Sequence, residues 1–219
     1  QTGLRNINAP ICPPLQDCPS DSARPNINDG NVYLYESFGK TNQQQFVVNF
    51  NSNFIKNFSL NGNYRYGVVR SMLDGLGSFP SYSYDFDSDY GFSPQDMRHN
   101  FTVFGSVPLP WKFRLNPSIT ASSGRPFNIT SGVDTNRDSI FNDRPTYSQL
   151  FKTCEKLSLT DDFCSINGLE NPDKTIIPRN LGRSPAFFNI NLSINRSWTF
   201  KKEKGRAYNL TFGIQVNNL

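Results

Sequence analysis

The chain has 219 residues, of which 36% are hydrophobic and 14% aromatic, including 19 Phe and 9 Tyr, and its formal net charge is +4. A chain that is polar on average but rich in aromatic residues is typical of amphipathic strands with aromatic girdles rather than of one packed core. The single dense charge cluster, residues 201–206, lies between two predicted strands. It therefore indicates a solvated turn and argues against a nucleic-acid-binding protein.

Period-two alternation of apolar and polar residues predicts about six strands along the chain. In chain order these strands are predicted at 32–52, 58–70, 99–109, 113–123, 185–197 and 207–219. Segments rich in Gly, Pro, Asn and Asp without periodicity predict long loops at 1–31, 71–98 and 124–184. The connections between the strands are therefore short, long, short, long and short, which is typical of outer-membrane barrels with short periplasmic turns and long external loops.

The segment from Phe188 to Asn195 shows the alternation most clearly, because every even-numbered residue is apolar and every odd-numbered residue is Asn or Ser. Asn is depleted in ordinary strands, so an Asn-rich strand face indicates a crowded polar surface such as the lumen of a membrane barrel. The apolar rows are expected to carry no charge and to face lipid. The lumen-facing candidates are Arg65, Arg114, Asn189, Asn191 and Arg196.

These patterns predict an all-β fold, an antiparallel transmembrane β-barrel fragment spanning residues 1–219, in the outer membrane of a Gram-negative bacterium. No stretch approaches the roughly 20 apolar residues of a transmembrane helix, so strands must make the membrane contact. About eight strands are the practical minimum for a closed barrel. We therefore expect the six strands to belong to a larger barrel, with outer-membrane lipid and the remaining strands as partners.

Several ordered motifs resemble the C-terminal barrel half of Oar-like TonB-dependent outer-membrane receptors, which carry a carboxypeptidase-regulatory-like domain at their N-terminus. The central motifs are Ser123–Thr130, Asp134–Asp138 and Asn142–Pro145, followed by Pro178–Gly182 and the pair Phe187-Phe188. Arg5–Pro10, Tyr82–Asp85 and Asp96–His99 fit the same pattern. The resemblance therefore covers nearly the whole chain.

The resemblance implies a barrel of about 22 strands filled by a plug domain, with a TonB box that couples transport to the inner membrane. The plug and the TonB box are expected in an N-terminal part outside this sequence. It implies a function in binding and importing an external solute, whose identity the sequence does not give. An Arg-bearing lumen wall favours an anionic or polar oligomeric solute.

Asp134, Asn136 and Asp138 place three oxygen ligands at alternate positions, as in calcium-binding loops, and Asp143 can add a fourth. Two positions depart from the EF-hand pattern. Ser139 stands where a Gly makes the sharp turn, and Pro145 stands where a bidentate carboxylate belongs. Two interpretations stay open, a weak Ca²⁺ site or an Asx-rich turn without metal.

The four cysteines fall in two predicted loops, which favours the local disulfides Cys12–Cys18 and Cys154–Cys164 over the other two connectivities. A metal site built on these cysteines would need histidine as a further ligand. The single His99 precedes a strand beside Arg98 and is expected at the barrel rim.

No nucleophile with a base partner, no phosphate loop and no paired catalytic carboxylates are found, so we do not expect an enzyme. Two alternatives to a transport barrel remain. One is a soluble, secreted β-sandwich acting in adhesion or carbohydrate binding, and the other is a structural subunit of a membrane assembly.

Overall fold

The computed structural model describes residues 1–16, 23–52, 58–166, 168–201 and 207–219. The chain divides into two compact units. We call residues 44–67, 97–124 and 185–219 the strand unit, and residues 1–43, 68–96 and 125–184 the loop unit.

The described residues form eleven strands and one α-helix, with three short 3₁₀ segments. The strands and the helix, in chain order, are β1 (Thr2–Asn6), β2 (Tyr33–Ser37), β3 (Thr41–Ser52), β4 (Ser59–Ser71), β5 (Gly91–Phe92), β6 (His99–Pro108), β7 (Phe113–Ser122), β8 (Pro126–Phe127), α1 (Tyr147–Leu157), β9 (Gly182–Arg183), β10 (Phe187–Lys201) and β11 (Ala207–Val216). The 3₁₀ segments are Asp87–Asp89, Pro110–Lys112 and Asp162–Cys164.

The largest sheet is a meander in which β3, β4, β6, β7, β10 and β11 follow one another in chain order, with β5 attached to β4. All pairings with a described register are antiparallel. The short turn between β6 and β7 is the 3₁₀ segment Pro110–Lys112, where Trp111 and Lys112 have positive φ angles of 59° and 65°. The other two short turns, 53–57 and 202–206, lie outside the described residues.

The first predicted loop and the first predicted strand both differ from the structure. Residues 1–31 contain strand β1, and the strand predicted at 32–52, with a break expected near Gly39, is two strands interrupted at residues 38–40. Strand β1 pairs with β2, so its formation depends on a distant partner rather than on its own pattern. At the interruption, a Cβ on Gly39 would lie 2.8 Å from the Gln1 side chain, so only glycine permits this close approach.

The predicted loop 124–184 is also wrong in part, because it contains helix α1. A capping box starts this helix, in which Thr146 accepts a hydrogen bond from the Gln149 backbone and the Gln149 side chain accepts one from the Thr146 backbone. Leu150 and Cys154, four residues apart, are the buried residues of the helix. The helix ends at Ser158 in a left-handed conformation.

Strand β10 runs four residues beyond its predicted end at 197, because Trp198 and Phe200 continue the apolar alternation. The remaining strand bounds agree with the predicted ones to within three residues.

Buried apolar side chains lie in the loop unit, where Leu150, Cys154, Cys164 and Ile177 form one cluster. In the strand unit the apolar rows are exposed or half-buried, with Phe188 61% and Leu210 58% accessible. These rows therefore need an apolar environment outside the chain. Among the described residues, no helix is both long and apolar enough to cross a membrane.

Candidate functional site

The strand register shows on which face of the sheet each lumen-facing candidate lies, since residues paired directly across an antiparallel sheet share one face. Arg65 pairs with Asn100, Asn100 with Ser122, and Arg114 with Asn195. Asn189 pairs with Thr120 and Asn191 with Ser118. Four of the five candidates therefore lie on one polar face of the sheet: Arg65, Arg114, Asn189 and Asn191.

Side-chain hydrogen bonds link neighbouring strands across this polar face. Asn63 donates to Asn49 over 2.5 Å, Asn116 donates to Ser193 over 3.2 Å, and Thr199 donates to Asn209 over 2.8 Å. Short amides and hydroxyls that pair in this way explain why Asn and Ser are tolerated in these strands.

Arg196 is the exception, and its predicted lumen position is wrong. It is one residue out of phase with Asn189 and Asn191, and it pairs with Phe113 and Phe212 on the apolar face. Strand β10 has a continuous register on both sides, so no bulge changes the alternation. The expectation that the apolar rows carry no charge is therefore also wrong at this position.

In the loop unit, the four candidate calcium ligands form a tight turn. Asp134 and Asn136 accept hydrogen bonds from the Asp138 backbone N–H over 3.1 and 3.0 Å. Asp138 accepts one from the Ile140 N–H over 2.8 Å, and Asp143 accepts one from the Thr135 N–H over 2.6 Å. The side-chain oxygens thus hold the backbone of the turn, with Arg137 and Ser139 at positive φ.

This geometry favours the Asx-rich turn over the calcium site. In the described part of the chain, no three His, Cys, Asp or Glu residues are arranged to hold a metal ion. Binding of calcium stays a prediction, and calorimetry with millimolar Ca²⁺ on the parent and on Asp138→Ala decides it. Equal traces would contradict a site at this loop.

Burial raises the pKa of Asp138 from 3.8 to about 6, and the charges of Asp134 and Asp143 act in the same direction against the opposing Ile140 hydrogen bond. An acid with a higher pKa in the folded state stabilises the fold at low pH, and this contribution is lost as the pH rises through the folded pKa. We expect the protection of the Ile140 amide to fall between about pH 4 and pH 6 and to level off above it. Hydrogen-exchange protection factors measure this, with Asp138→Asn as the control that should lack the slope.

Two buried arginines connect distant segments of the loop unit. Arg144 forms an ion pair of 2.9 Å with Asp89, and both side chains are only 5% exposed. Asp89 also accepts hydrogen bonds from the Ser81 backbone and hydroxyl. Arg179 donates to the Ser71 carbonyl over 2.8 Å and forms an ion pair with Asp74.

A third ion pair, 2.6 Å long, joins Arg183 to Asp96, whose side chain is fully buried. The other carboxylate oxygen of Asp96 accepts a hydrogen bond from the Val69 N–H over 2.7 Å. The three ion pairs hold segments near residues 70, 90, 144 and 180 together.

The loop unit contains a cleft of about 1370 Å³. Its walls include three cations, Arg137, Arg144 and Lys174, and three acidic residues, Asp134, Asp143 and Asp173. Tyr147 and several hydroxyl residues also line it, among them Thr130, Ser131, Thr135, Thr153 and Thr175. The volume exceeds the roughly 300 to 1,000 Å³ of pockets for small ligands. A polar cleft of this size, with charges of both signs, suits an oligomeric solute with hydroxyl or amide groups.

A disulfide joins Cys154 of helix α1 to Cys164, the pairing that the sequence predicts. Cys12 is disulfide-bonded and buried, and its predicted partner Cys18 lies outside the described residues. Closing so short a loop contributes roughly 2 to 3 kcal/mol at most. We expect reduction, or Cys154→Ala with Cys164→Ala, to increase proteolysis near α1 and to leave the strands folded. Loss of the strand signal in circular dichroism would contradict this.

Comparison with known families identifies a match over the whole chain. The family described as "Outer membrane beta barrel domain" matches residues 1–219. The chain belongs to this family. No curated protein and no solved structure gives a significant match.

Membership in the outer membrane beta barrel family confirms the predicted barrel fold class and the location in the outer membrane of a Gram-negative bacterium. In a barrel of this family we expect the apolar rows of the strand unit to face lipid and the Asn-rich face to form the other side of the wall. The soluble β-sandwich alternative is excluded by this location.

Sequence reasoning missed the residues that organise the loop unit. Thr146 and Gln149 have the spacing of a capping box before an apolar pair four residues apart, so helix α1 could have been predicted. The pairing of Asp89 with Arg144 has no local signal, because the two residues meet only in the folded loop unit.

Proposed function

We propose that the chain is part of a TonB-dependent outer-membrane receptor whose barrel and external loops bind and import a solute. The observation that carries the proposal is the loop unit. Its long connections are held by buried ion pairs around a polar cleft of about 1370 Å³. Ordered loops with a large polar cleft are suited to recognising a ligand, whereas loops that only link strands need no such network.

The cleft favours a polar oligomer with hydroxyl or amide groups, because its wall carries both cations and carboxylates. Arg137 and Lys174 line it, and its hydroxyl groups provide donors and acceptors for sugar or peptide groups. The energy-coupling TonB system and the plug would act through parts of the protein outside this sequence. This proposal assigns no enzymatic activity to the chain.

The test uses cells that produce the intact protein and receive fluorescent oligosaccharides or oligopeptides. We expect one of the two probe classes, the oligosaccharides or the oligopeptides, to accumulate in the periplasm. This accumulation should stop when TonB is deleted. Arg137→Gln with Lys174→Gln should reduce uptake, while Lys112→Gln, which removes a charge at a short turn, should not.

A structural subunit of a membrane assembly is the second candidate. It predicts no difference in uptake between cells with and without TonB for any probe class, and that result would contradict the receptor proposal.

A further inference from the structure

Arg196 is a charged residue on a lipid-facing surface. Among residues 44–52, 58–67, 97–124, 185–201 and 207–219, no other Lys, Arg, Asp or Glu lies in the apolar rows, which run through Phe101, Ile119, Leu192 and Ile214. A charge on the lipid face costs about 2 to 4 kcal/mol at the bilayer midplane and about 0 to 1 kcal/mol near the interfaces. Arg196 is therefore expected at the membrane–water interface, with a partner for its charge.

The position of Arg196 on the sheet agrees with a place at the membrane–water interface. Arg196 pairs with Phe113, the first residue of β7, which directly follows the short turn Pro110–Lys112. Aromatic residues surround it on the same face, with Trp198, Phe200, Tyr208 and Phe212 in the adjoining part of the β10–β11 hairpin. Aromatic belts mark the level of the lipid headgroups. Short turns of such barrels lie on the periplasmic side.

The Arg196 guanidinium lies against aromatic rings, and within the described part of the chain its contacts are with these rings. Its central carbon lies 5.4 Å from the centre of the Phe113 ring and 4.7 Å from that of Trp198. Nε is shielded from solvent and makes no hydrogen bond in the described part of the chain. The two terminal nitrogens are therefore the donors that can reach an acceptor outside the protein.

Among the residues of the strand unit that the structure describes, no carboxylate side chain is present for this role. These residues include six cations and no Asp or Glu; the cations are Arg65, Arg98, Lys112, Arg114, Arg196 and Lys201. A membrane surface offers one abundant anionic acceptor at headgroup depth, the phosphate of a phospholipid. A guanidinium is well matched to phosphate, because it donates several hydrogen bonds and keeps its charge.

We propose that Arg196, stacked against Phe113 and Trp198, binds the headgroup phosphate of an anionic phospholipid at the short-turn edge of the barrel. The rings fix the plane of the guanidinium, so less side-chain freedom is lost when the lipid binds. The site goes beyond solute import, because it recognises the surrounding membrane and does not depend on the cleft.

The experiment measures which lipid lies next to Trp198. The intact protein with Trp111→Phe, which leaves Trp198 as the tryptophan of this chain, is placed in vesicles containing brominated phosphatidylglycerol or brominated phosphatidylcholine. Quenching of Trp198 gives the relative affinity of the two lipids. We expect about a fivefold preference for phosphatidylglycerol, which corresponds to roughly 1 kcal/mol per arginine at an anionic surface.

Arg196→Gln should reduce the preference to about one. The matched control is Arg114→Gln, since Arg114 pairs with Asn195 at the same level but on the polar face, and it should keep the preference. Heat-modifiable gel migration checks that each variant is folded. If Arg196→Gln does not fold, Arg196→Lys keeps the charge without planar stacking and should show a smaller preference than the parent.

Three results would overturn the proposal. They are no lipid preference in the parent, equal losses in Arg196→Gln and Arg114→Gln, and loss of the preference on adding millimolar inorganic phosphate. The last of these would identify a site for a free anion rather than for a lipid.

Discussion

Asp89→Asn is expected to destabilise the loop unit by about 3 to 5 kcal/mol. The substitution leaves Arg144 buried at 5% exposure without the carboxylate that lies 2.9 Å away. Nε and Nη1 of Arg144 already lack hydrogen-bond partners in the described structure, so little remains to compensate the charge. Breaking a buried ion pair on one side is strongly destabilising because an unpaired charge stays in a poorly solvated site.

Glu36→Gln is the matched control, because it makes the same carboxylate-to-amide change in the ion pair with Arg5. That pair is 3.1 Å long, but its side chains are 25% and 40% exposed. Solvent screening limits such a pair to about 0 to 1 kcal/mol. Hydrogen exchange of the loop-unit amides in the folded protein measures both variants. Equal losses of protection in the two variants would contradict a dominant role for the buried pair.

The strands of the meander could be predicted because their signal is local. The alternation in Phe188–Asn195 or in Tyr208–Val216 follows from the different environments on the two sides of one sheet. The polarity of each residue therefore indicates the side on which it lies. The prediction for Arg196 was wrong because it followed the charge of the side chain and not its place in the alternation. Arg196 is two residues from Ile194 and two from Trp198, so the period of the strand puts it on their apolar face, and the sequence alone contains that information.

The loop unit could not be predicted in the same way, because its contacts join residues that are far apart in the chain. Asn6 is buried and donates to Asn31, and Asn136 donates to the Ser81 carbonyl. Asn and Asp in such segments indicate turns, but their spacing does not show which distant backbone groups they will meet. The local signals in this unit are the capping box of helix α1, the Asx-rich turn at Asp134–Asp138 and the nearby cysteines Cys154 and Cys164.

Leu192→Arg tests the assignment of the two faces in the strand unit. Leu192 pairs with Pro117 and Val216 in the apolar rows, and the neighbouring Asn191 pairs with Ser118 on the polar face. An arginine on the lipid face is expected to reduce the folding free energy in bilayers by about 2 to 4 kcal/mol near the midplane. Asn191→Arg places the same side chain at nearly the same depth on the polar face, so its effect should be small.

The native Arg196 adds a second depth at which the cost of a lipid-facing arginine can be measured. It lies four residues from Leu192 on the same face of β10, which is roughly 13 Å along the strand at about 3.3 Å per residue. If the cost of a lipid-facing arginine depends on depth, it should be large at Leu192 and small at the aromatic belt where Arg196 lies. Equilibrium unfolding in lipid vesicles gives the free energies for Leu192→Arg, Asn191→Arg and Arg196→Leu. Equal costs for Leu192→Arg and Asn191→Arg would show that both faces are equally solvated, which a barrel wall in lipid does not allow.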